Sequence, residues 1–220
     1  MTPLEERLLN PAPGGAIAAA RDFGIDLTLV LGRLRRTPEE RFQDLEGAMA
    51  FFKGIRERRD TVMIKLREAL RLLANQEVDF VIAGGVAAGI HGSSAVTLDL
   101  DVCYSRDPEN LRRLVTALAP TNPRLRGAPA DLPFLWDEQT LRNGFHFTLT
   151  TDVGDLDLLG DLAGVGDFQH VKAAAAPKDL FGQRFAVLSL DALIASKRAA
   201  GRAKDLNVIP ELEALREASS

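Results

Sequence analysis

The spacing of apolar residues divides the chain into a helical first part and a mixed second part. Up to about residue 60 the apolar positions recur at helical intervals, whereas short apolar runs bounded by glycine dominate from Val78 onward. The clearest helix begins at Thr37-Pro38-Glu39-Glu40, which combines a capping box with proline at the first helical position, and extends to about Arg58. Its apolar residues lie three and four positions apart and predict one buried face: Phe42, Leu45, Met49, Phe52 and Ile55. We interpret this face as packing against the second part of the chain, with a surface for a partner protein as the alternative.

The second part alternates between helices and strands, which is typical of an α/β (α+β) fold with a short mixed sheet flanked by helices. The predicted strands span residues 78–83, 97–104, 145–151, 156–159 and 185–188. The predicted helices span residues 61–75, 86–90, 108–118, 191–200 and 206–218. Residues 119–136 are rich in proline and glycine and predict a long loop. We therefore divide the chain into an all-helical N-terminal segment (1–60), which is a candidate regulatory or partner-binding module, a core (61–188) and a C-terminal helical part (189–220).

Composition narrows the classes of protein that fit this pattern. With 220 residues, of which 46% are hydrophobic, the chain is long enough for one sizeable domain and a smaller addition. The formal charge of −4 gives no overall basic footprint of the kind found in dedicated duplex-DNA binders. A single cysteine, Cys103, excludes an intramolecular disulfide, and no apolar run reaches the roughly 18 to 20 residues of a membrane span. Because the charged N-terminus does not resemble a signal peptide, we expect a cytoplasmic protein that does not bind membranes.

The candidate chemistry starts with two aspartates on one predicted strand. Asp99 and Asp101 are two residues apart, so their carboxylates project from the same face of the strand. A third acidic residue on a neighbouring strand would complete a set of oxygen ligands suited to Mg²⁺. Residues 154–159 offer two candidates, Asp155 and Asp157. Such a site, with two ions about 4 Å apart, activates an attacking oxygen and neutralises a leaving pyrophosphate.

A glycine pair upstream of the aspartates adds a candidate phosphate site. Gly84 and Gly85 lie between a predicted buried strand and a short helix, and Gly85 precedes Asp99 by 14 residues. Glycine lets the backbone approach a phosphate closely, and the N-terminus of the following helix favours negative charge. Without the glycine pair, the two aspartates would be equally compatible with a solvated sheet face.

In their order and spacing, these residues resemble the nucleotidyltransferases of the DNA polymerase β superfamily. The resemblance covers roughly residues 78–215 and is strongest with the bacterial stand-alone group related to the toxins of type IV toxin–antitoxin and abortive-infection systems. It implies a nucleotidyltransferase-like mixed sheet flanked by helices. It rests on the glycine pair, a His-Gly step, two acidic strands and late lysines: Gly84, Gly85, His91, Gly92, Thr97, Asp99, Asp101, Gly154, Asp157, Lys197, Lys204 and Asp205.

The resemblance also implies an activity, which is the metal-dependent transfer of an NMP from an NTP to an acceptor hydroxyl. Asp99, Asp101 and Asp157 would be the catalytic residues that hold Mg²⁺ or Mn²⁺, with Asp155 as the alternative third ligand. The C-terminal part would complete the site, and the nucleotide would be bound by Gly84, Gly85, His91, Lys197 and Lys204. The acceptor would be RNA, such as tRNA, or a protein. A role in a toxin–antitoxin or phage-defence system would add an antitoxin partner.

Several residues near this site have two interpretations. His91 would reach the nucleotide, serve as a base, or cap carbonyl groups at the end of its helix. Arg124 and Arg126 in the long loop either bind an acceptor or have no function. A basic cluster near the C-terminus is either a phosphate-facing patch or a solvated helix end: Lys197, Arg198, Arg202 and Lys204.

Three departures from the superfamily pattern support an alternative function. Gly85 stands where a serine that holds a phosphate is usual, Ala95 where an arginine is frequent, and Val208 where a second acidic residue is frequent. The alternative is a catalytically inactive protein with the nucleotidyltransferase fold that binds a partner, as an antitoxin or a regulatory module would.

Overall fold

The computed structural model describes residues 2–56, 65–129 and 132–219, and it describes the side chains of all of these except 52–56. A mixed β-sheet forms the centre of the described structure, and helices flank it. This architecture confirms the α/β class that the sequence predicts.

The helices are α1 (Pro3–Leu9), α2 (Ala16–Phe23), α3 (Leu27–Leu34), α4 (Pro38–Arg56), α5 (Leu66–Asn75), α6 (Gly84–His91), α7 (Pro108–Leu118), α8 (Glu138–Asn143), α9 (Phe168–Ala173), α10 (Leu190–Ala200), α11 (Ala203–Leu206) and α12 (Ile209–Ser219). The strands are β1 (Phe80–Ile82), β2 (Asp99–Tyr104), β3 (Arg124–Leu125), β4 (His146–Thr151), β5 (Gly154–Leu159), β6 (Asp161–Leu162), β7 (Gly166–Asp167), β8 (Ala175–Leu180) and β9 (Gln183–Leu188).

Seven strands of the described chain form one sheet in the order β3-β4-β5-β2-β1-β9-β8, and β6 pairs separately with β7. β2 is parallel to β5 and β1 is parallel to β9, while the other neighbours are antiparallel. The sequence did not predict β8, because Pro177 and two charged residues interrupt its apolar alternation. An edge strand tolerates this proline, since an edge leaves backbone groups unpaired.

The N-terminal helices pack onto the sheet through the predicted face of α4. Phe42, Leu45 and Met49 are buried in the same apolar core as the central strands. The ring of Phe42 lies 5.2 Å from that of Phe181, which occupies the turn between β8 and β9. The apolar face of α4 therefore packs against the second part of the chain.

The predicted start of α4 is confirmed by the reciprocal hydrogen bonds of a capping box. The N–H of Thr37 donates to Glu40 Oε2 at 2.7 Å, and the N–H of Glu40 donates to Thr37 Oγ1 at 3.2 Å. The predicted boundary near residue 60 and the first residues of the predicted helix 61–75 lie outside the described residues. The side chains of Phe52 and Ile55 are likewise outside the description.

The last helix, α12, contacts both the N-terminal helix α2 and the segment that precedes β2. Glu211 in α12 is 3% exposed and accepts hydrogen bonds from Ser93 Oγ at 2.6 Å and from the N–H of Ser94 at 2.7 Å, shortly before β2. Glu217, near the end of α12, accepts from the N–H of Ile17 at 3.3 Å in the first turn of α2. The C-terminal helix thus packs against the segment that leads into the aspartate-bearing strand.

Two predicted elements differ from the structure. The helix expected over residues 206–218 is interrupted at Asn207 and Val208, which separate α11 from α12. The loop expected over residues 119–136 contains a 3₁₀ turn at Ala119–Thr121 and the short strand β3, which pairs with β4. The strand β3 has two residues and the helices α8 and α9 have six each, which is too short for a strand or a helix, respectively, to show its apolar periodicity.

Candidate active site

The register between β2 and β5 brings the acidic residues onto one face of the sheet. Asp99 is paired with Asp155, and Asp101 is paired with Asp157. Neighbouring strands lie about 4.8 Å apart, so each pair places two carboxylates side by side. The leucines between these aspartates are buried on the opposite face.

The first glycine of the pair packs directly against one of these carboxylates. Gly84 begins α6 with a φ of +57°, a left-handed conformation that side chains rarely adopt. A Cβ atom at this position would lie 1.8 Å from Asp101 Oδ2. The carboxylate of Asp101 therefore leaves no room for a side chain at position 84. The sequence had predicted only a close approach of the backbone to a phosphate.

The second glycine packs against the other aspartate through a threonine. A Cβ atom at Gly85 would lie 2.4 Å from Thr97 Cβ, and Thr97 Oγ1 donates to Asp99 Oδ1 at 2.6 Å. Against the larger effect of burial, which raises the pKa of Asp101, the backbone N–H of Gly85 lowers it. The turn and the two aspartates thus form one closely packed unit.

Burial and mutual repulsion change the protonation of this cluster. Burial, followed by the charges of Asp99 and Asp157, raises the pKa of Asp101 to about 7, against the opposing effect of Lys197. Burial also raises the pKa of Asp157, although Arg126 works in the opposite direction. Concentrated negative charge of this kind, inside a cleft, is typical of sites that bind a cation.

Arg126, for which the sequence suggested either acceptor binding or no function, lies among these carboxylates. Nη2 of Arg126 donates to Asp157 Oδ1 at 2.7 Å. The same guanidinium lies 3.5 Å from Asp155 Oδ2 and 3.9 Å from Asp99 Oδ2. No local pattern in the sequence predicts this contact, because β3 and β5 come together only through the sheet.

The aspartates of β2 and β5 offer carboxylate oxygens, which are the type of ligand that a hard divalent cation prefers. Within the described residues, however, no three acidic, histidine or cysteine side chains converge closely enough to hold a metal ion as they stand. The guanidinium of Arg126 occupies part of the space between them. The carboxylates of Asp99, Asp101 and Asp157 therefore fit a divalent ion in their chemistry, whereas as they stand they do not converge on a single point.

The aspartates and the glycine pair line a cleft of about 720 Å³, within the range of small-ligand sites. The predicted residues that line it are Gly84, Gly85, Asp99, Asp101, Asp157, Lys197 and Lys204. They come from α6, β2, β5, α10 and α11, so the structure brings together elements that are far apart in the sequence. Asp155 is not among the lining residues, and this placement favours Asp157 as the third acidic residue.

Cationic side chains near the C-terminus line the same cleft as the aspartates. Nζ of Lys197 donates to Asp205 Oδ1 at 3.1 Å, and Arg202 Nε donates to Asp205 Oδ2 at 2.5 Å. Although burial opposes ionisation, these two hydrogen bonds hold the pKa of Asp205 below its ordinary value. Asp205 therefore orients Lys197 and Arg202 at the cleft surface.

The other members of the predicted basic cluster differ in position. Lys204 is exposed and lines the cleft. Arg198 does not line it and pairs instead with Glu213. Three of the four basic residues thus face the cleft, and Arg198 belongs to the outer surface of α10.

His91 does not reach the cleft. Its ring is largely buried and its Nε2 lies 2.8 Å from the carbonyl oxygen of Leu188, at the end of β9. Burial is the main cause that lowers the pKa of His91. The position of His91 gives no support to nucleotide contact or base catalysis; its contact is with a backbone carbonyl.

A histidine that we did not select from the sequence lines one end of the cleft. His146 on β4 and Asp161 on β6 both belong to the lining, and His146 Nε2 lies 3.1 Å from Asp161 Oδ1. The two residues that depart from the superfamily pattern near the site, Ala95 and Val208, also line the cleft. They make parts of the wall apolar.

Comparisons with known proteins add little to this geometry. No protein-family model matches the chain, and no curated protein matches it significantly. A solved structure that resembles it comes from Thermotoga maritima and is provisionally described as a nucleotidyltransferase. The two share 16% sequence identity, the match covers 69% of this chain and 88% of the other, and the TM-score is 0.40. Because similarity at this level is too low to carry a functional inference, we infer function from the residues of the cleft.

Within the described ranges, none of the helices combines the length and the apolar character that crossing a bilayer requires.

Proposed function

We propose that the protein is a metal-dependent nucleotidyltransferase that moves an NMP from an NTP to an acceptor hydroxyl. One observation carries this proposal: three aspartates from two neighbouring strands face a cleft in which a glycine turn packs against one of their carboxylates. Asp99, Asp101 and Asp157 would hold Mg²⁺ or Mn²⁺. Bound there, the ions would polarise the α-phosphate and neutralise the charge on the leaving pyrophosphate.

The remaining residues of the cleft suit the triphosphate. The backbone N–H groups at the start of α6 and the positive end of that helix favour an anion beside Gly84 and Gly85. Lys197 and Lys204 supply positive charge to the same cleft from α10 and α11. The cleft therefore offers carboxylates for cations and cations for phosphates.

The reaction that fits this arrangement is an in-line displacement at phosphorus. The acceptor oxygen forms a bond to the α-phosphorus, and the bond from that phosphorus to the bridging oxygen breaks. Pyrophosphate leaves with the electron pair, and the acceptor proton passes to Asp157 or Asp155. RNA such as tRNA, or a protein, is the proposed acceptor, and a toxin–antitoxin or phage-defence role with an antitoxin partner is proposed from the resemblance.

The alternative is a catalytically inactive protein that keeps the fold and works through a binding partner. The position of Arg126 among the carboxylates supports this alternative. The two functions are distinguished by thermal unfolding with Mg²⁺ and each of the four NTPs, because a ligand that binds the folded state stabilises it. An unchanged unfolding temperature with every NTP supports the inactive binding protein.

The direct test is transfer of label from α-labelled NTPs to cellular RNA or protein. We expect label on one acceptor class with the wild-type protein and none with Asp99→Asn/Asp101→Asn. The control is Asp179→Asn. This substitution removes an exposed carboxylate on the edge strand β8, where Asp179 pairs with Arg184 of β9. Label that persists in the double variant would exclude the proposed mechanism.

Lys197→Met is expected to raise the KM for the NTP about tenfold or more, because it removes a charge-assisted contact to phosphate. Arg198→Met is the matched control, since this neighbouring cation pairs with Glu213 outside the cleft. The double variant Lys197→Met/Asp205→Asn removes the buried carboxylate as well and tests whether an unpaired Asp205 causes the loss. Steady-state kinetics with a wild-type KM for Lys197→Met would contradict a phosphate contact.

A further inference from the structure

Among the described residues, Arg126 is the cation that forms ion pairs with the acidic cluster, which contains the proposed metal ligands. Its guanidinium contacts Asp157 at 2.7 Å, Asp155 at 3.5 Å and Asp99 at 3.9 Å. The side chain of Arg126 is 28% exposed and that of Asp157 is 17% exposed, so water screens this contact only in part. One arginine thus neutralises carboxylates from both acidic strands.

The sheet explains why this side chain is in place. The N–H of Arg126 donates to the carbonyl oxygen of Thr148 at 2.9 Å, which extends the pairing of β3 with β4 by one residue. Thr148 is in turn paired with Asp157, and Asp157 with Asp101. The backbone of Arg126 is therefore held in the same row as the two aspartates, and only its side chain is free to leave them.

A divalent ion bound by the proposed ligands would compete with the guanidinium for at least the carboxylate of Asp157, which accepts its hydrogen bond at 2.7 Å. Asp99 and Asp157 are both proposed metal ligands, and both face Arg126. A carboxylate oxygen that accepts a short hydrogen bond from arginine cannot offer the same lone pair to a metal ion. In the described structure no three acidic side chains converge on one point, and the guanidinium contacts two of the three proposed ligands.

We infer that Arg126 is the resident cation of the acidic cluster and that a divalent ion has to displace its guanidinium in order to bind. The inference rests on the proposed function, because it concerns the same metal site. It makes the free protein a poor metal binder. In this state the contact between Arg126 and Asp157 is autoinhibitory, and it is released when the arginine swings out of the cluster.

The test is the affinity of the full chain for Mn²⁺ alone, measured from the electron paramagnetic resonance signal of the free ion. Arg126→Ala is expected to bind Mn²⁺ about tenfold or more tightly than the wild-type protein, because a charge-assisted hydrogen bond no longer competes. Arg126→Gln keeps a polar side chain without the charge and is expected to bind more tightly than wild type as well. Asp101→Asn is expected to lose binding.

Arg124→Ala is the matched control. It removes an arginine from β3, two residues before Arg126, and so changes the net charge by the same amount. Arg124 is exposed, and among the described residues it forms no ion pair with these aspartates. Its loss is expected to leave the Mn²⁺ affinity within about twofold of wild type, since exposed charges are strongly screened.

Equal or weaker Mn²⁺ binding by folded Arg126→Ala and Arg126→Gln would overturn the inference and would mean that Arg126 positions the carboxylates. If Asp101→Asn still loses Mn²⁺ binding in that case, the proposed metal site stands. Binding that is absent in wild type, Arg126→Ala and Arg126→Gln alike would overturn both the inference and the proposed function. Circular dichroism establishes that each variant is folded.

Discussion

Replacement of Asp101 by asparagine is expected to abolish nucleotidyl transfer and, in the absence of divalent ions, to stabilise the folded protein. The gain arises because folding buries a carboxylate beside two others and raises its pKa from 3.8 to about 7. At pH 8 the carboxyl of Asp101 is ionised in the folded wild-type protein, and this ionisation lowers the free energy of unfolding. The asparagine variant has no group to ionise and avoids this loss. The expected gain in the free energy of unfolding is roughly 1 to 4 kcal/mol.

The pH dependence follows from the same pKa. The folded protein retains a proton on Asp101 between pH 3.8 and about 7 that the unfolded chain releases. This contribution to stability is fully present below pH 3.8 and is lost as the pH rises through about 7. The loss should be absent in Asp101→Asn.

Denaturant unfolding of both proteins in a chelator, from pH 5 to pH 8, measures this difference. The chelator is necessary because a bound cation would keep Asp101 ionised. Asp179→Asn serves as the control, since hydrogen bonds and the charge of Arg184 lower the pKa of that exposed carboxyl. If Asp101→Asn were less stable than the wild-type protein at every pH, the carboxylate would stabilise the fold, and the prediction would be wrong.

Gly84→Ala is expected to eliminate transfer and to lower the free energy of unfolding by roughly 2 to 4 kcal/mol. The new Cβ would lie 1.8 Å from Asp101 Oδ2, so either the turn or the carboxylate has to move. Alanine is also strained at a φ of +57°. Labelled-NTP transfer and denaturant unfolding measure the two effects.

The matched control for Gly84→Ala is Gly182→Ala. Gly182 has a φ of +78° in the turn between β8 and β9, and a Cβ there would meet no atom within 4 Å. This control carries the backbone strain without the clash, so it should cost about 1 to 2 kcal/mol and leave transfer intact. Equal losses of stability in both variants would show that contact with Asp101 adds nothing.

A double-mutant cycle isolates the contact itself. Gly84→Ala combined with Asp101→Ala removes the atoms that clash, so the combined loss of stability should be smaller than the sum of the two single effects. Additive effects would place the strain elsewhere in the turn.

Much of the site was accessible from local patterns. The two-residue spacing of Asp99 and Asp101 determines that they share a face, because side chains alternate along any strand. The glycine pair predicted a turn before a short helix, and in the structure both glycines are the first residues of that helix, α6. The capping box at Thr37 predicted the start of α4. Each of these features depends on a few consecutive residues, which is the range over which sequence patterns are informative.

Other features depended on contacts between distant segments. The preference for Asp157 over Asp155 rests on the cleft lining, which the pairing of β2 with β5 arranges across residues 105–153. Local patterns also left the position of His91 open: its Nε2 lies against the carbonyl oxygen of Leu188, and His91 itself does not line the cleft. Neither outcome is encoded in the residues adjacent to these positions.

The sequence by itself determined the α/β class, the shared face of Asp99 and Asp101, and the glycine turn, because periodicity and backbone freedom are local properties. Only the tertiary structure decided that Gly84 touches Asp101, that Lys197 faces the aspartates and that Arg126 lies among them. Strand register and helix packing place these groups together, and both are set by burial of apolar side chains from the whole chain.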